Sequence, residues 1–232
     1  MKQSQEQSLP KPTVELVRSA GDRFGDENEV TEKALTELVQ KFPRNSEESH
    51  VLLKVAAINQ LYTTQIYAVR IVAAHIIEIN AKFNVDALLD AESFGLVDQI
   101  AQVRVADKQR NNLSFASKYC SWHRPESYPI YDSYAERCLW EYRKQFGLSF
   151  VRKQLWEYPS FVDAVKEFQE RFELQRLSFK EIDKFLYLKG ADLVEAQVKA
   201  RAAAILSETA LEIGAEGGSI TLLRDNETLD SR

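Results

Sequence analysis

Ser114-Phe115-Ala116-Ser117-Lys118-Tyr119-Cys120-Ser121-Trp122-His123-Arg124-Pro125-Glu126-Ser127-Tyr128-Pro129-Ile130-Tyr131-Asp132-Ser133-Tyr134-Ala135 is the stretch from which the fold is read. Two helical patterns meet in it at a short turn bracketed by prolines. Pro125 and Pro129 each push the residue before them out of the helical region. Asp132 stands where the second helix should start, and Ala135, Cys138, Leu139 and Tyr142 follow at helical spacing. Phe115, Tyr119, Trp122, Tyr128, Tyr131, Tyr134, Trp140 and Tyr142 crowd the same segment. A carboxylate at a helix start, ringed by aromatics and preceded by a basic stretch, is the feature with chemistry in it.

Outward from this block the pattern stays helical. On the N-terminal side, Val30, Ala34, Leu35, Leu38 and Val39 predict a helix over 28–42 that Pro43 ends. Asn45 or Ser46 caps a second helix through Val51, Leu52, Val55, Ala56 and Ile58. The run Tyr62-Thr63-Thr64 breaks it ahead of an apolar third helix carrying Ile66, Val69, Val72, Ala73, Ile76 and Ile77. One continuous helix over 47–81 is the alternative. Short helices follow at Val85–Asp90 and Phe94–Val103. On the C-terminal side Pro159 opens a helix with Phe161, Val162, Val165, Phe168 and Phe172 on one face. Ser178-x-x-Glu181 is a capping-box pattern, and Gly190 takes a helix C-terminal position. Ser219–Leu223 is the one β-like run, without an evident partner.

These patterns predict an all-α protein: one helical bundle over 28–190, a flexible leader 1–27, a C-terminal helix 191–213 and a loosely ordered tail 214–232. A hydrophobic content of 44% over 232 residues suffices for one substantial core. The longest apolar stretch, within 66–79, is interrupted by Arg70, His75 and Glu78 and does not suit a bilayer. With two cysteines and no apolar signal segment, a cytoplasmic protein with buried thiols is expected.

Candidate sites divide by chemistry. Asp132 serves as a helix N-cap or as a carboxylate that orients water or stabilises a developing cation. Arg104, Lys108, Arg110, Lys118 and Arg124, opposed by Asp107, give a local excess of about four positive charges able to grip phosphate. Asn111-Asn112 tolerates the left-handed conformation of a tight turn. The net charge of -5 argues the other way, with Asp and Glu clustered in 22–50 and 205–232. Cys120-x-x-His123 with Cys138 lacks a fourth ligand at metal-site spacing, so neither metal nor cofactor is implied. The polar island Asn59-Gln60 and Tyr62–Gln65 is either a buried hydrogen-bond network or the wall of a ligand pocket. Glycine-rich phosphate loops are missing, which removes nucleotide-hydrolysing and dinucleotide-binding classes.

The polar helix end Asn59–Gln65, the basic interhelical turn 104–113, the helix after it, and the run Ile130-Tyr131-Asp132-Ser133-Tyr134-Ala135 together resemble the helix-hairpin-helix DNA glycosylase superfamily. Ile182–Gly190 is similar to the returning helix that closes that family's bundle. The resemblance implies hydrolytic, monofunctional removal of a flipped base from DNA. Asp132 would then be catalytic, Gln60 or Gln65 near the base-side wedge, and Tyr119, Trp122, Tyr131 and Trp140 around the base. Arg104, Lys108, Arg110, Asn111, Asn112 and Lys118 would hold backbone phosphate. Ungapped counting back from Asp132 to the position of a Schiff-base lysine reaches Ser114, with Lys118 one helical turn away. The alternative is a non-enzymatic helical module that binds nucleic acid, or a protein partner through the C-terminal helix.

Overall fold

A computed structural model describes residues 8–217, with side chains undescribed at 27 and 207–217. The expected run at Ser219–Leu223 lies outside the described residues. The chain divides into two compact units, residues 1–191 and 192–232. The first unit holds α1 (Val14–Lys41), α2 (Glu48–Leu61), α3 (Val69–Phe83), α4 (Val85–Asp90) and α5 (Gly95–Ala101). A hairpin of β1 (Gln102–Val105) and β2 (Lys108–Asn111) follows, then α6 (Leu113–His123), α7 (Ser133–Phe146), a 3-10 helix (Arg152–Trp156) and α8 (Tyr158–Arg171). The last helix, α9 (Phe179–Gly217), begins in the first unit and accounts for the described part of the second. The protein is predominantly helical.

Local chemistry explains most boundaries. Tyr62 closes α2, and Thr63 (φ 47°) and Gln65 (φ 60°) both take left-handed backbone conformations, so the chain turns there and one continuous helix over 47–81 is ruled out. Asn59 holds the turn together: its Oδ1 accepts from Ile66 N (2.8 Å) and Thr64 Oγ1 (2.7 Å), and its Nδ2 donates to Ile66 O (3.0 Å). At α9 the capping box forms in full, with Ser178 N donating to Glu181 Oε2 (2.9 Å) and Glu181 N to Ser178 Oγ (3.3 Å).

Four expectations need correction. α1 starts at Val14, fourteen residues before the predicted helix, because Thr13 caps it and Val14 and Val17 are buried. The segment before it is anchored too: Gln145 brackets the Leu9 backbone (2.8 and 2.7 Å) and Tyr142 donates to Pro10 O (3.0 Å). The basic turn at 104–113 is an antiparallel β-hairpin, with Val103 opposite Arg110 and Arg104 opposite Gln109. Its left-handed residue is Ala106 (φ 52°), while Asn112 lies at φ −97° as the cap position of α6. Gly190 is no helix terminus. A Cβ there would sit 2.1 Å from Tyr134 O, so the absent side chain lets α9 cross the first turn of α7 at backbone contact.

Candidate active site

The turn between α6 and α7 is fixed by three elements, one backbone group at a time. Tyr158 of α8 donates to Pro129 O (2.6 Å). Asp183 of α9 accepts from Ile130 N through Oδ2 (2.8 Å). Ser117 of α6 takes the Tyr131 N–H on its Oγ (3.0 Å) and reaches Tyr131 O (3.2 Å). Buried backbone polar groups need such partners, and here the partners also set where the next residue, Asp132, must stand.

Asp132 divides its two oxygens. Oδ1 accepts from Tyr134 N (3.0 Å) and Ala135 N (2.8 Å), the N-cap that starts α7. Oδ2 faces the Nζ of Lys118 at 3.8 Å. Lys118 is 3% exposed and therefore no surface cation, which overturns its assignment to backbone phosphate. Its Nζ donates to Ser114 Oγ (2.9 Å), makes a long contact to Tyr131 O (3.4 Å) and lies over the Tyr62 ring. Burial pushes this ammonium below the ordinary lysine value, while Asp132 and Asp183 oppose the shift.

Both groups line a cavity of about 570 Å3, the size of a small-molecule site. Ser114, Lys118, Ser121 and Trp122 reach it from α6, since positions i, i+4, i+7 and i+8 share one helix face. Tyr62 to Gln65 come from the turn after α2, Tyr131 and Asp132 from the turn before α7, and Asp183, Lys184 and Tyr187 from α9. The rings of Tyr134 and Tyr187 meet edge to face at 5.3 Å, and Phe24 of α1 meets Tyr187 at 5.7 Å. Lys180 lies over the Trp122 ring (5.1 Å) and, with Lys184, pairs with Glu32 of α1 (3.2 and 2.8 Å). Thr63 is β-branched yet left-handed, a costly conformation that the surroundings impose at the cavity wall.

The structure therefore brings together Asp132, Lys118, Gln65, Trp122 and Tyr131 among the expected site residues. It does not bring Gln60, Tyr119 or Trp140. Gln60 is exposed and does not line the cavity. Tyr119 is fully buried and donates to Asn45 Oδ1. Trp140 lies beneath Arg143 and Arg152. Arg104, Lys108, Arg110 and Asn111 are exposed on the hairpin, and Asn112 precedes α6; none lines the cavity. Asp183 went unassigned, although an acid between Ile182, Phe185 and Leu186 on an apolar helix face was a legible signal. Both cysteines are buried and neither forms a disulfide, and among the described residues no cluster of metal-ligating side chains occurs. No helix of the described residues is long and apolar enough to cross a membrane.

Fold and site define a helical protein with an amine and a carboxylate paired at a cavity wall. The family model HI_0787_N, described as an N-terminal domain, matches residues 15–127. That span includes Lys118 and ends before Asp132 and Asp183. The chain is also similar to an uncharacterized protein of Haemophilus influenzae, 37% identical over 136 residues, which is 58% of this chain and 63% of the relative. The matched segment thus spans less than two thirds of that relative's length. No solved structure matches the chain.

Proposed function

We propose that the cavity accepts a base swung out of DNA and that Lys118 and Asp132 cleave its N-glycosidic bond. The carrying observation is the 3.8 Å approach of Lys118 Nζ to Asp132 Oδ2 at the wall of a cavity lined by aromatic rings. A flat ring stacks on such walls, and extrusion from the duplex is how enzymes reach the bond to a base. The sequence resemblance to helix-hairpin-helix glycosylases supports the same chemistry. It anticipated water as nucleophile, whereas the geometry favours the amine: Lys118 reaches the site from one turn beyond Ser114 and keeps Ser114 as its hydrogen-bond partner.

A deprotonated Lys118 is a nucleophile, and burial favours that form. As the bond from sugar C1′ to the base breaks, its electron pair leaves with the base. The amine lone pair forms the new N–C1′ bond, and Asp132 stabilises the cationic sugar and takes the amine proton. Ring opening of this adduct gives an iminium that water hydrolyses and borohydride reduces to a stable amine. The exposed Arg104, Lys108 and Arg110, on the hairpin that leads directly into α6, supply cations for backbone phosphate.

The test is incubation of the full chain with duplexes carrying a panel of modified bases, with mass analysis for released base and borohydride trapping of the adduct. Release together with an adduct absent from Lys118→Gln supports the proposal. Neither product from any duplex, or equal trapping by Lys118→Gln, sinks it. The net charge of -5 favours a second reading, in which the same amine forms an iminium with a small aldehyde or ketone. Borohydride locking of such a compound onto Lys118, with no affinity for DNA at low salt, is the result that selects it.

A further inference from the structure

A second carboxyl group faces the same cavity and has no task in the chemistry above. Asp183 sits in the first turns of α9 and is 7% exposed. Its Oδ2 is held by the Ile130 N–H at 2.8 Å, while its Oδ1 is buried without a hydrogen-bond partner. The indole Nε1 of Trp122, also on the cavity wall, is buried and unsatisfied as well; the Tyr62 hydroxyl approaches it without completing a hydrogen bond. Buried polar atoms are ordinarily paired, and two orphans on one cavity mark the place where a ligand completes them.

We propose that Asp183 is the acid that protonates the departing base, with Trp122 donating a second hydrogen bond to the same ring. The inference rests on the glycosidic cleavage proposed for this cavity. A leaving base gathers the electron pair of the broken bond on its ring nitrogens and carbonyl oxygens, so it needs donors. The proton on Asp183 Oδ1 passes to that ring as the C1′–N bond breaks, leaving Asp183 a carboxylate that solvent reprotonates after release. The division of oxygens fits: Oδ2 accepts from a backbone N–H, which leaves the proton to Oδ1.

The neighbours of Asp183 support a neutral carboxyl. Burial lifts its pKa well above the carboxylate range, with the Asp132 charge adding to the shift; the Ile130 N–H, Lys118 and Lys180 oppose it. Two carboxyls in one site, one tied to an amine and a helix start and one dry and unpaired, are the arrangement that separates a charged partner from a proton donor.

The closing experiment uses the full chain and two duplexes: one carrying whichever panel base the wild type releases, and one carrying a preformed abasic site. An abasic aldehyde has no base left to expel, so its capture tests Lys118 without needing an acid. Asp183→Asn keeps an oxygen for the Ile130 N–H and loses the acid. Expected is a fall of about 100-fold or more in single-turnover base release, with borohydride trapping of the abasic duplex kept within about threefold. The fall should be largest at low pH, where the wild-type rate depends on the acid, and the pH profile of the variant should lose that dependence. Base release within about threefold of wild type overturns the role of Asp183 and leaves Lys118 chemistry standing. Parallel loss of release and trapping assigns Asp183 to structure alone and also overturns it. Failure of the wild type on both duplexes removes the proposed function and this inference together.

Discussion

Among the described residues two lysines are buried, and the difference between their surroundings separates structure from chemistry. Lys54 of α2 is 0% exposed and saturated: Nζ donates to Phe42 O (3.1 Å), Arg44 O (2.9 Å) and Asn45 Oδ1 (2.8 Å). It also touches His123 Nε2 at 3.2 Å, and burial, helped by Lys54 and Arg124, pushes that imidazole down to about 3, so it stays neutral. Lys118 of α6 has one good oxygen partner, Ser114 Oγ, and a carboxylate at 3.8 Å across an open cavity. Each ammonium lies over a tyrosine ring, Tyr119 for Lys54 and Tyr62 for Lys118. Burial lowers the pKa of both, so burial alone identifies nothing. The informative variable is how many acceptors the protein supplies. Lys54 replaces the solvent that the oxygens of the turn between α1 and α2 would otherwise need. Lys118 is left with room for something else.

The sharpest way to break the contrast is to remove each amine. Lys118→Gln should lower base release by about 10^4-fold or more, the scale expected when a covalent nucleophile is lost. Its unfolding free energy should stay within about 1 kcal/mol of wild type, because the cavity hydrates what is left. Denaturant titration and single-turnover assays on one preparation decide this. A variant that unfolds and retains no activity because it is unfolded would erase the distinction.

Lys54→Met should do the opposite. Phe42 O and Arg44 O lose this donor and Asn45 Oδ1 keeps only Tyr119, a loss of about 3 kcal/mol, while activity per folded molecule is unchanged. The pH dependence carries a sign. Burial holds Lys54 down to about 8 in the fold against an ordinary 10.5, with Asp86 opposing the shift. The unfolded chain therefore binds more protons between those values, and stability climbs as pH rises through about 8 toward 10. Near pH 10 the trend reverses, because burial raises the tyrosines, Tyr131 to about 12, and unfolding releases their protons. Urea midpoints at pH 7, 8, 9 and 10 should show the climb in wild type and a shallower one in Lys54→Met.

How much of this contrast was legible in the sequence follows from what each feature depends on. Helix periodicity, the Pro125–Pro129 bracket, the Asp132 cap and the Ser178–Glu181 box are local, and local chemistry placed them within a few residues. The α1 start was missed because Gly21, Gly25 and a charge-rich surface dilute its apolar stripe, and only contacts of Val14 and Val17 reveal it. The β-hairpin was missed because its strands are four residues each and β2 is fully exposed, leaving no alternation to detect. The pairing of Lys118 with Asp132 depends on a turn held by α6, α8 and α9 together, which no spacing within residues 114–132 encodes. Lys54 carries no mark in the sequence for the same reason: its acceptors lie in the turn between α1 and α2, nine to twelve residues away.

Gly190 supplies a sharper, smaller probe of the same geometry. Gly190→Ala sets a methyl group 2.1 Å from Tyr134 O, and backbone rather than a flexible side chain must yield. Overpacking of this kind costs about 1–3 kcal/mol. The strain falls on the first turn of α7, where Tyr134 N and Ala135 N bind Asp132 Oδ1, so base release should drop about tenfold in the folded variant. Lys54→Met, at equal or greater destabilisation, should leave the proposed base release by the folded protein alone. A similar rate loss in both variants would mean that the rate simply tracks stability.

The smallest effect belongs to the hairpin, and it tests whether the two buried lysines differ from the exposed cations in kind. Arg104, Lys108 and Arg110 are exposed on the hairpin, with Arg104 Nε donating to Ala106 O within the hairpin itself. Replacing all three by Gln should change stability by less than about 0.5 kcal/mol, the usual range for surface substitutions. Duplex affinity should fall by about tenfold at low salt and the loss should shrink as salt rises, because exposed charges act through counterion release and are screened. Trapping at saturating abasic duplex should be unchanged. If affinity and its salt slope survive the triple substitution, phosphate is held elsewhere, and Lys180 and Lys184 at the cavity wall, which share the single carboxylate of Glu32, become the cations to remove next.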